Sequence, residues 1–208
     1  MNIHELRVAY ETAERSDAFP HFARVIREKN LDAGVAVGVA FGGQAEVILD
    51  QTQCSELLGV DAYEAPAGAA AANPSAAAAA AAAVAAVTSN AINLPPDQYE
   101  NLFWYVMGRL SRFGARYAHV RGSSAQAAQV LNVELDFVLL DGDRTHAAVF
   151  QELSTWFAKL RHGGVIGGHG YGHASSSGVK AAVDGFFASR GITVHAEPNH
   201  VWWVEKHV

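Results

Sequence analysis

The chain has 208 residues, half of them hydrophobic, and carries a formal net charge of −6. A chain of this length can bury a full core, so we expect one domain over residues 1–208. The acidic balance and the lack of a Lys or Arg cluster argue against DNA or RNA as the main partner, because phosphate contacts require concentrated positive charge.

The same reading predicts a cytoplasmic protein. The N-terminal residues MNIHELRVAYETAER are charged and contain no apolar secretion signal. No run of about 20 bulky apolar residues could span a bilayer, so we expect no membrane association. The single cysteine, Cys54, cannot form an intrachain disulfide and is typical of a reducing compartment.

Hydrophobic periodicity and Gly or Pro punctuation predict an alternation of helices and strands. In chain order these are a helix within the first 30 residues, a strand at 33–43, a helix at 45–52, a strand at 55–64, a helix at 93–114, a strand at 115–122, a helix at 124–131, a strand at 135–141, a helix at 146–164, a strand at 164–170, a helix at 178–191, and strands at 192–198 and 200–208. The alternation predicts a doubly wound α/β sandwich, with the last two strands as an antiparallel pair on the sheet edge.

Several large apolar side chains have predicted positions. Helical spacing favours the core for Phe103, Trp104, Val106 and Met107, with a homodimer contact on this helix as the alternative. Of Trp202 and Trp203, which alternate across the last strand, one should pack inward and the other should cover a helix or a partner.

The segment 65–96 differs from the rest of the chain. No charged residue occurs between Glu64 and Asp97, and Ala76 to Ala83 is an unbroken alanine run. Because alanine forms helices well, the segment is either a small-faced helix or a low-complexity linker. We assign no site residue to it.

A glycine cluster marks the first candidate for ligand binding. Gly38, Gly42 and Gly43 follow a predicted strand and precede a helix, which lets backbone approach a ligand closely. The G-x-x-x-G-G spacing lacks the dinucleotide fingerprint G-x-G-x-x-G, which counts against a nicotinamide enzyme. Asp61 ends the next strand, where a carboxylate can accept both hydroxyls of a ribose.

The segment from 135 to 187 contains the second candidate. LDFVLLDGDRTH is a buried strand that ends in Asp141 and Asp143, and GVIGGHGYGH is a strand that ends at His169. Open α/β sheets place their ligands just past the carboxyl ends of strands. The glycine cluster and the segment 135–187 together predict a nucleotide-type cofactor site, and therefore an enzyme.

The chain resembles class I S-adenosylmethionine-dependent methyltransferases of the family 24 type. The matching stretches are VAVGVAFGGQAE, LLGVDAYE, YENLFWYVMGRLSRFGARYAHVRGSSAQAA, LDFVLLDGDRTH, GGVIGGHGYGH and GVKAAVDGFF, which span about residues 30–190. The resemblance implies a Rossmann-like, seven-stranded, mostly parallel sheet with an antiparallel C-terminal strand, and S-adenosylmethionine as the cofactor.

The resemblance also implies roles for individual residues. Gly38, Gly42 and Gly43 would surround the methionine part of the cofactor, and Asp61 would hold the ribose. Ser123 and Ser124 would lie near the adenine. Asp141 would face the methyl and amino end of the cofactor.

The chain departs from the family pattern at three points. An acid usual in the first strand is replaced by Ala36, Arg144 follows Asp143 where histidine is common, and Gly170 replaces an acid after the fifth strand. Some relatives that methylate sugars bind magnesium through aspartates at these strand ends, and oxygen ligands suit that ion. Gly170 removes one expected ligand, so we assign no metal ligand, although magnesium stays an open alternative.

Methyl transfer to oxygen needs positioning of the two reactants and removal of a proton. We predict His169 as the base, oriented by Asp141 or Asp143, with His146 and His173 as weaker candidates and Tyr171 as a possible substrate contact. Asp143 could equally cap the next helix. The predicted activity is O-methylation of a small-molecule hydroxyl, such as a sugar or secondary metabolite. The alternatives are N-methylation and a non-catalytic cofactor-binding or interaction protein.

Overall fold

The structure is a computed structural model that describes residues 3–64, 94 and 96–207. In this part of the chain the helices are α1 (Ile3–Tyr10), α2 (Ala13–Glu28), α3 (Gly43–Gln51), α4 (Pro96–Leu110), α5 (Ser124–Val130), α6 (His146–Phe157) and α7 (Ser177–Ala188). The strands are β1 (Ala33–Val37), β2 (Glu56–Asp61), β3 (Tyr117–Arg121), β4 (Leu135–Leu140), β5 (Leu160–Gly168), β6 (His195–Ala196) and β7 (Trp202–Glu205). The predicted segment 65–96 lies, apart from Leu94 and Pro96, outside the described residues.

The strands form one seven-stranded sheet in the order β3-β2-β1-β4-β5-β7-β6. The first five strands in this order are mutually parallel, whereas β7 runs antiparallel to both β5 and β6. The doubly wound α/β class, the antiparallel pair at the edge and the insertion of the last strand beside β5 are therefore confirmed.

Strand β4 shows why the sheet is covered on both faces. Phe137 and Leu139 pack into a core cluster shared with α2, α3 and α4, while Val138 and Leu140 pack into a second cluster shared with α6 and α7. A strand that buries both faces reads as a continuous apolar run, as LDFVLL does. None of the described helices is long and apolar enough to cross a membrane.

Two sequence-based boundaries and one core assignment were wrong. The N-terminal helix is two helices, because Thr12 adopts an extended backbone with ψ 165°. The helix after β4 ends at Phe157, not near Arg161, because Leu160 is needed to pair with Leu135 and so begins β5. The core assignment of Trp104 also fails, since this side chain is 62% exposed. The homodimer contact on α4 stays a prediction.

The two C-terminal tryptophans follow the predicted alternation. Trp202 is buried and packs near Phe187, while the half-buried Trp203 stacks on His195 and lies under the Lys29 ammonium group. Trp203 thus packs against Lys29, the residue that follows the last residue of α2.

Candidate active site

The parallel strands β1, β2, β4 and β5 end at one edge of the sheet. In the register, Val37 lies opposite Val60 and Leu140, and Leu140 lies opposite Gly168. A cavity of about 750 Å³ opens at this edge, and four of the predicted site residues line it: Gly38, Asp61, Asp141 and Asp143. Alternation of strands and helices thus brings residues more than 100 positions apart to one place.

The β1–α3 loop crosses very close to the end of β4 at Gly38. The φ of Gly38 is +81°, and a Cβ atom built on this residue would lie 2.4 Å from the carbonyl oxygen of Asp141. Only glycine combines this left-handed backbone with so close an approach. Gly38 is therefore required to form the floor of the cavity.

Asp61 is held by the loop that it faces. Its two carboxylate oxygens accept hydrogen bonds of 3.0 Å from the backbone amides of Ala40 and Tyr63. Ala40 and Tyr63 both have left-handed φ values, 52° and 49°, which are unusual for residues with a Cβ. Burial raises the pKa of the Asp61 carboxyl, and the two amides oppose that rise. The strained loop and the fixed carboxylate form one wall of the cavity.

Four other residues predicted to contact the cofactor lie outside the described cavity wall. Gly42 and Gly43 begin α3, and a Cβ on Gly43 would lie 2.4 Å from Glu11 Oε1. Ser123 forms a capping box at the start of α5, and the Ser124 hydroxyl accepts a 2.8 Å hydrogen bond from Trp156 Nε1. The structure gives these residues packing and capping roles, and their cofactor contacts stay predictions.

Asp141 is buried between two arginines. Its Oδ2 atom lies 3.1 Å from Arg15 Nη1, and its Oδ1 atom lies 2.8 Å from Arg144 Nη2. Burial alone would raise the pKa of this carboxyl, but the two guanidinium groups outweigh burial and lower the pKa below its ordinary value. Asp141 is therefore a paired carboxylate and a poor proton acceptor.

His169 lies behind the cavity rather than in its described wall. Its Nδ1 atom is 2.9 Å from Arg144 Nη2. A guanidinium only donates hydrogen bonds, so Nδ1 accepts and the proton of the neutral ring sits on Nε2. Burial lowers the pKa of His169 to about 4, and the neighbouring arginines add to this effect. This geometry does not favour His169 as a general base, and that role stays a prediction.

The β4–α6 loop and the start of α7 form the opposite wall. Asp143 Oδ1 accepts a 2.8 Å hydrogen bond from the amide of Thr145, whose hydroxyl in turn caps α6. The run Ser175–Gly178 also lines the cavity. A Cβ on Gly178 would lie 2.6 Å from the Arg144 carbonyl oxygen, so α7 begins in close contact with this loop.

The weaker candidates have local partners. The ring of His146 stacks on Phe150, and His173 Nδ1 accepts a hydrogen bond from the Ser175 amide. The Tyr171 hydroxyl donates a 2.6 Å hydrogen bond to Asp184. The contacts of His173 and Tyr171 anchor the loop that precedes α7, whereas the His146 contact lies within α6. No cofactor or substrate contact follows from them.

The residues at the strand ends do not fit a divalent cation. Both oxygens of Asp141 and the Nδ1 atom of His169 already face arginine side chains. Within residues 3–64, 94 and 96–207, no group of three or more His, Cys, Asp or Glu side chains could hold a metal ion. Asp141 and His169 are therefore not suited to ligate magnesium.

Sequence reasoning missed several residues of the cavity wall. Tyr10, from α1, lines the cavity, although no motif marked it. Arg15, from α2, lies behind that wall, with its guanidinium 4.2 Å from the centre of the Tyr10 ring. Tyr63 and Tyr99 also line the cavity. Arg144, four residues after the end of β4, also lines the cavity, although the sequence marked it only as a departure from the family pattern.

The fold and the cavity define a Rossmann-like methyltransferase domain, and solved structures of that class align with the chain. The O-methyltransferase NovP aligns over 94% of this chain and 80% of its own, with a TM-score of 0.63 and 14% identity. TomG from Streptomyces achromogenes is an O-methyltransferase of tomaymycin synthesis solved with S-adenosylmethionine. It aligns over 99% of this chain and 91% of its own, with a TM-score of 0.61 and 10% identity. PaMTH1 from Podospora anserina, solved with S-adenosylhomocysteine, aligns over 98% of this chain and 88% of its own, with a TM-score of 0.60 and 12% identity.

The chain belongs to methyltransferase family 24, whose model, described as a methyltransferase domain, matches residues 31–171. No curated protein sequence is significantly similar to the chain. The family match confirms the resemblance drawn from the motifs: the protein is a methyltransferase of the S-adenosylmethionine-dependent class. The matched region begins just before β1 and includes Gly38, Asp61, Asp141 and His169.

Proposed function

We propose that this methyltransferase transfers the methyl group of S-adenosylmethionine to a hydroxyl oxygen of a small molecule. The cavity at the carboxyl ends of β1, β2 and β4 carries the proposal, because Gly38, Asp61 and Asp141 all line it. Its volume of about 750 Å³ lies within the range of about 300–1,000 Å³ common for ligand pockets. The aligned O-methyltransferases support oxygen as the acceptor atom.

The residues present fit the cofactor. Asp61 is a fixed carboxylate at the end of β2, suited to accept hydrogen bonds from a ribose. Gly38 leaves the cavity floor free of a side chain, and Asp141 lines the same cavity at the end of β4. When bound, S-adenosylmethionine supplies an electrophilic methyl group on a sulfonium, and Ser123 and Ser124 remain proposed for the adenine.

The protein's own contribution is to position two reactants. In-line displacement at a methyl carbon needs the acceptor atom held on the far side of that carbon from sulfur. Asp61 and Tyr63 line one side of the cavity, and Arg144 and Ser176 line the other. One side can hold the cofactor while the other holds the acceptor. Tyr10 and Arg15 would help to exclude water, because both are buried.

The test uses methyl-labelled S-adenosylmethionine and pairs of small acceptors that differ only in a hydroxyl or an amine. We expect one added methyl group, seen by mass spectrometry, on hydroxyl members of the panel. Methylation of the amines alone would contradict oxygen as the acceptor atom. Cofactor binding without product on any acceptor would instead favour a non-catalytic binding protein.

A further inference from the structure

A second, small cavity lies behind Gly142, at the back of the large one. Glu152, His169 and Trp202 line it together with the β4–α6 loop, and none of these three side chains lines the large cavity. The small cavity has a volume of about 10 Å³, which is room for one water molecule. It is therefore a separate place from the proposed cofactor and acceptor sites.

Two nitrogen atoms at this small cavity need a hydrogen-bond acceptor. His169 Nε2 and Trp202 Nε1 are buried, and neither has a partner among the residues that the structure describes. An indole nitrogen only donates, and His169 Nδ1 accepts from Arg144, which leaves the ring proton on Nε2. A buried donor without an acceptor is costly, so each of these groups calls for a partner or an ordered water.

The unpartnered donors are concentrated at this place. In the sheet register Trp202 lies opposite Gly168, and a Cβ atom built on Gly168 would lie 3.1 Å from Trp202 Nε1. The indole nitrogen thus lies beside the residue that precedes His169. Arg144 Nε is a third buried nitrogen without a partner in the described chain, and Arg144 lines both cavities. Three of the five such atoms in the described residues therefore belong to the lining of one small cavity.

Glu152 supplies an acceptor in the same cavity. A Cβ atom built on Gly142 would lie 3.6 Å from Glu152 Oε1, so the carboxyl lies against the loop backbone. The carboxyl receives a hydrogen bond from the Ser124 hydroxyl, and a carboxylate has about four acceptor positions. A buried water typically makes about three hydrogen bonds. One water therefore matches the two N–H donors and the carboxyl acceptor that line the cavity.

The charges around the small cavity favour water over a small anion. A halide would also accept the two N–H groups, but the carboxyl groups of Asp141, Asp143 and Glu152 line the same cavity and would repel it. Arg144 is the cation in this lining, and its guanidinium is already paired with Asp141. The small volume argues in the same direction, because a halide ion is larger than water.

We infer that one water molecule binds in this cavity, accepts hydrogen bonds from His169 Nε2 and Trp202 Nε1, and donates one to the Glu152 carboxyl. Glu152 is then a positioning residue that acts through His169. A carboxylate that draws on the Nε2 proton, here through a water, fixes the tautomer of a histidine and makes its other nitrogen a better acceptor. That nitrogen, Nδ1, lies 2.9 Å from Arg144 Nη2, and Arg144 lines the large cavity. Glu152 therefore helps to hold the wall of the large cavity without lining it.

The protonation of Glu152 should change this hydrogen-bond chain near neutral pH. Burial raises the pKa of the Glu152 carboxyl to about 7, whereas burial lowers the pKa of His169 to about 4 and keeps its ring neutral there. Above the Glu152 pKa the ionised carboxyl is the stronger acceptor. The water then binds the Nε2 proton more strongly, and Nδ1 holds Arg144 more firmly. Below that pKa the chain weakens.

Other charged or titratable groups face Glu152 and His169. They are Asp141, Asp143 and Arg144 on the β4–α6 loop, Arg15 on α2, and His200 before β7. The side chains that α5, α7 and β7 contribute are uncharged, and they are Ser124, Val179 and Trp202. Because histidines ordinarily titrate near a pH of about 6.5, the test must separate Glu152 from His200.

A high-resolution crystal structure of the whole chain tests the water site directly. We expect an ordered water at about 2.7–3.2 Å from both His169 Nε2 and Trp202 Nε1, and within hydrogen-bond distance of a Glu152 carboxyl oxygen. Crystals soaked in bromide should show no anomalous signal in the cavity. Density that contacts only one of the two nitrogens, no density between them, or bound bromide would overturn the inference.

Nuclear magnetic resonance of the nitrogen-15-labelled protein tests the coupling to Glu152 without turnover. Between about pH 5 and pH 9, the nitrogen shift of His169 Nδ1 and the proton shift of the Trp202 indole N–H should follow one titration, with a midpoint near 7. Glu152→Gln should abolish this titration while it keeps an acceptor for the Ser124 hydroxyl. A Glu152 that only packed against the loop would not make these two signals titrate together.

Two controls accompany the titration. Asp143→Asn keeps the oxygen that accepts the Thr145 amide but removes a charge that helps to raise the Glu152 pKa, so the titration should remain with a lower midpoint. The Trp104 indole, which donates to Glu100 on α4, should show no such step. Flat signals in the wild type would overturn the coupling. A titration that survives in Glu152→Gln would belong to another group, such as His200, and would overturn it equally.

Discussion

The Tyr63 hydroxyl donates a 3.0 Å hydrogen bond to the carbonyl oxygen of Ala40, across the wall of the cavity. Both residues have a left-handed φ, and both donate their backbone amides to Asp61. Backbone strain of about 1–3 kcal/mol per residue persists only where surrounding contacts fix it. The three residues therefore hold one another, and the position of the Asp61 carboxylate depends on them.

Tyr63→Phe should loosen this arrangement. The buried Ala40 carbonyl would lose its side-chain donor, at a cost of about 1–3 kcal/mol in the free energy of unfolding. Cofactor affinity should fall several-fold as Asp61 gains freedom. Urea denaturation and calorimetry measure the two effects. Tyr105→Phe is the matched control, since the structure shows no hydrogen bond to that hydroxyl within the described chain. Equal losses in both variants would show that the Tyr63 hydroxyl does not fix the Asp61 carboxylate.

Gly43→Ala should destabilise the fold although alanine is the better helix former. A Cβ there would lie 2.4 Å from Glu11 Oε1 and 2.6 Å from Phe19, so α2 or the α1–α2 junction must shift. We expect a loss of about 1–3 kcal/mol. Gly108→Ala in α4 meets no atom within 4 Å and should gain about 0.5–1 kcal/mol from helix propensity. Thermal unfolding that moved both variants in the same direction would refute the contact at Gly43.

Glu152 should make the folding stability depend on pH. Burial, and next the nearby Asp143 charge, raise the pKa of its carboxyl from 4.5 to about 7. The folded state then binds more protons than the unfolded state between these values, so stability falls as pH rises through this window. Glu152→Gln removes that penalty and should stabilise the protein at pH 8 by an amount on the order of 3 kcal/mol.

The measurement for Glu152 is denaturation at pH 5 and at pH 8. Gln keeps the acceptor for the Ser124 hydroxyl, so the gain should appear mainly at the higher pH. Glu134→Gln, at an exposed position, serves as the control and should change little at either pH. A gain that was equal at both values would show that the Glu152 carboxyl is not responsible.

Asp141→Asn should cost far more stability than loss of a surface carboxylate. The change leaves Arg15 and Arg144 buried without their partner charge, and removing one member of a buried pair costs about 3–5 kcal/mol. Asp184→Asn breaks an exposed pair with Lys180 and should cost about 1 kcal/mol or less. Urea midpoints at pH 7 compare the two, and similar losses would argue against a buried triad.

The alternation of strand and helix predicted the fold and the edge at which the cavity forms. The apolar run at β4 and the turn after β1 are local signals, so a single sequence exposes them. The break at Thr12 and the early start of β5 at Leu160 depend on long-range packing, which local patterns do not record. Gly38, Asp61, Asp141 and Asp143 all line the cavity because each lies at or just past the end of a strand, and their roles stay predictions.

The partners of these residues could not be read from the sequence. Arg15 reaches Asp141 from 126 positions away, and nothing in the N-terminal helices marks it for that role. Arg144 donates a hydrogen bond to His169 Nδ1, so this nitrogen is not free to accept a proton. Motifs name the residues at a site, whereas their protonation and pairing depend on three-dimensional neighbours.

Calorimetric titration of the wild type, Asp61→Asn and Asp136→Asn with S-adenosylmethionine and S-adenosylhomocysteine tests whether Asp61 holds the cofactor. Asp136 also accepts two backbone amides, from Asp32 and Ala33, but at the opposite edge of the sheet. We expect saturable binding to the wild type and to Asp136→Asn, and at least about tenfold weaker binding to Asp61→Asn, equivalent to about 1.4 kcal/mol. No binding to the folded wild type, or equal affinity in all three proteins, would contradict a cofactor site at Asp61.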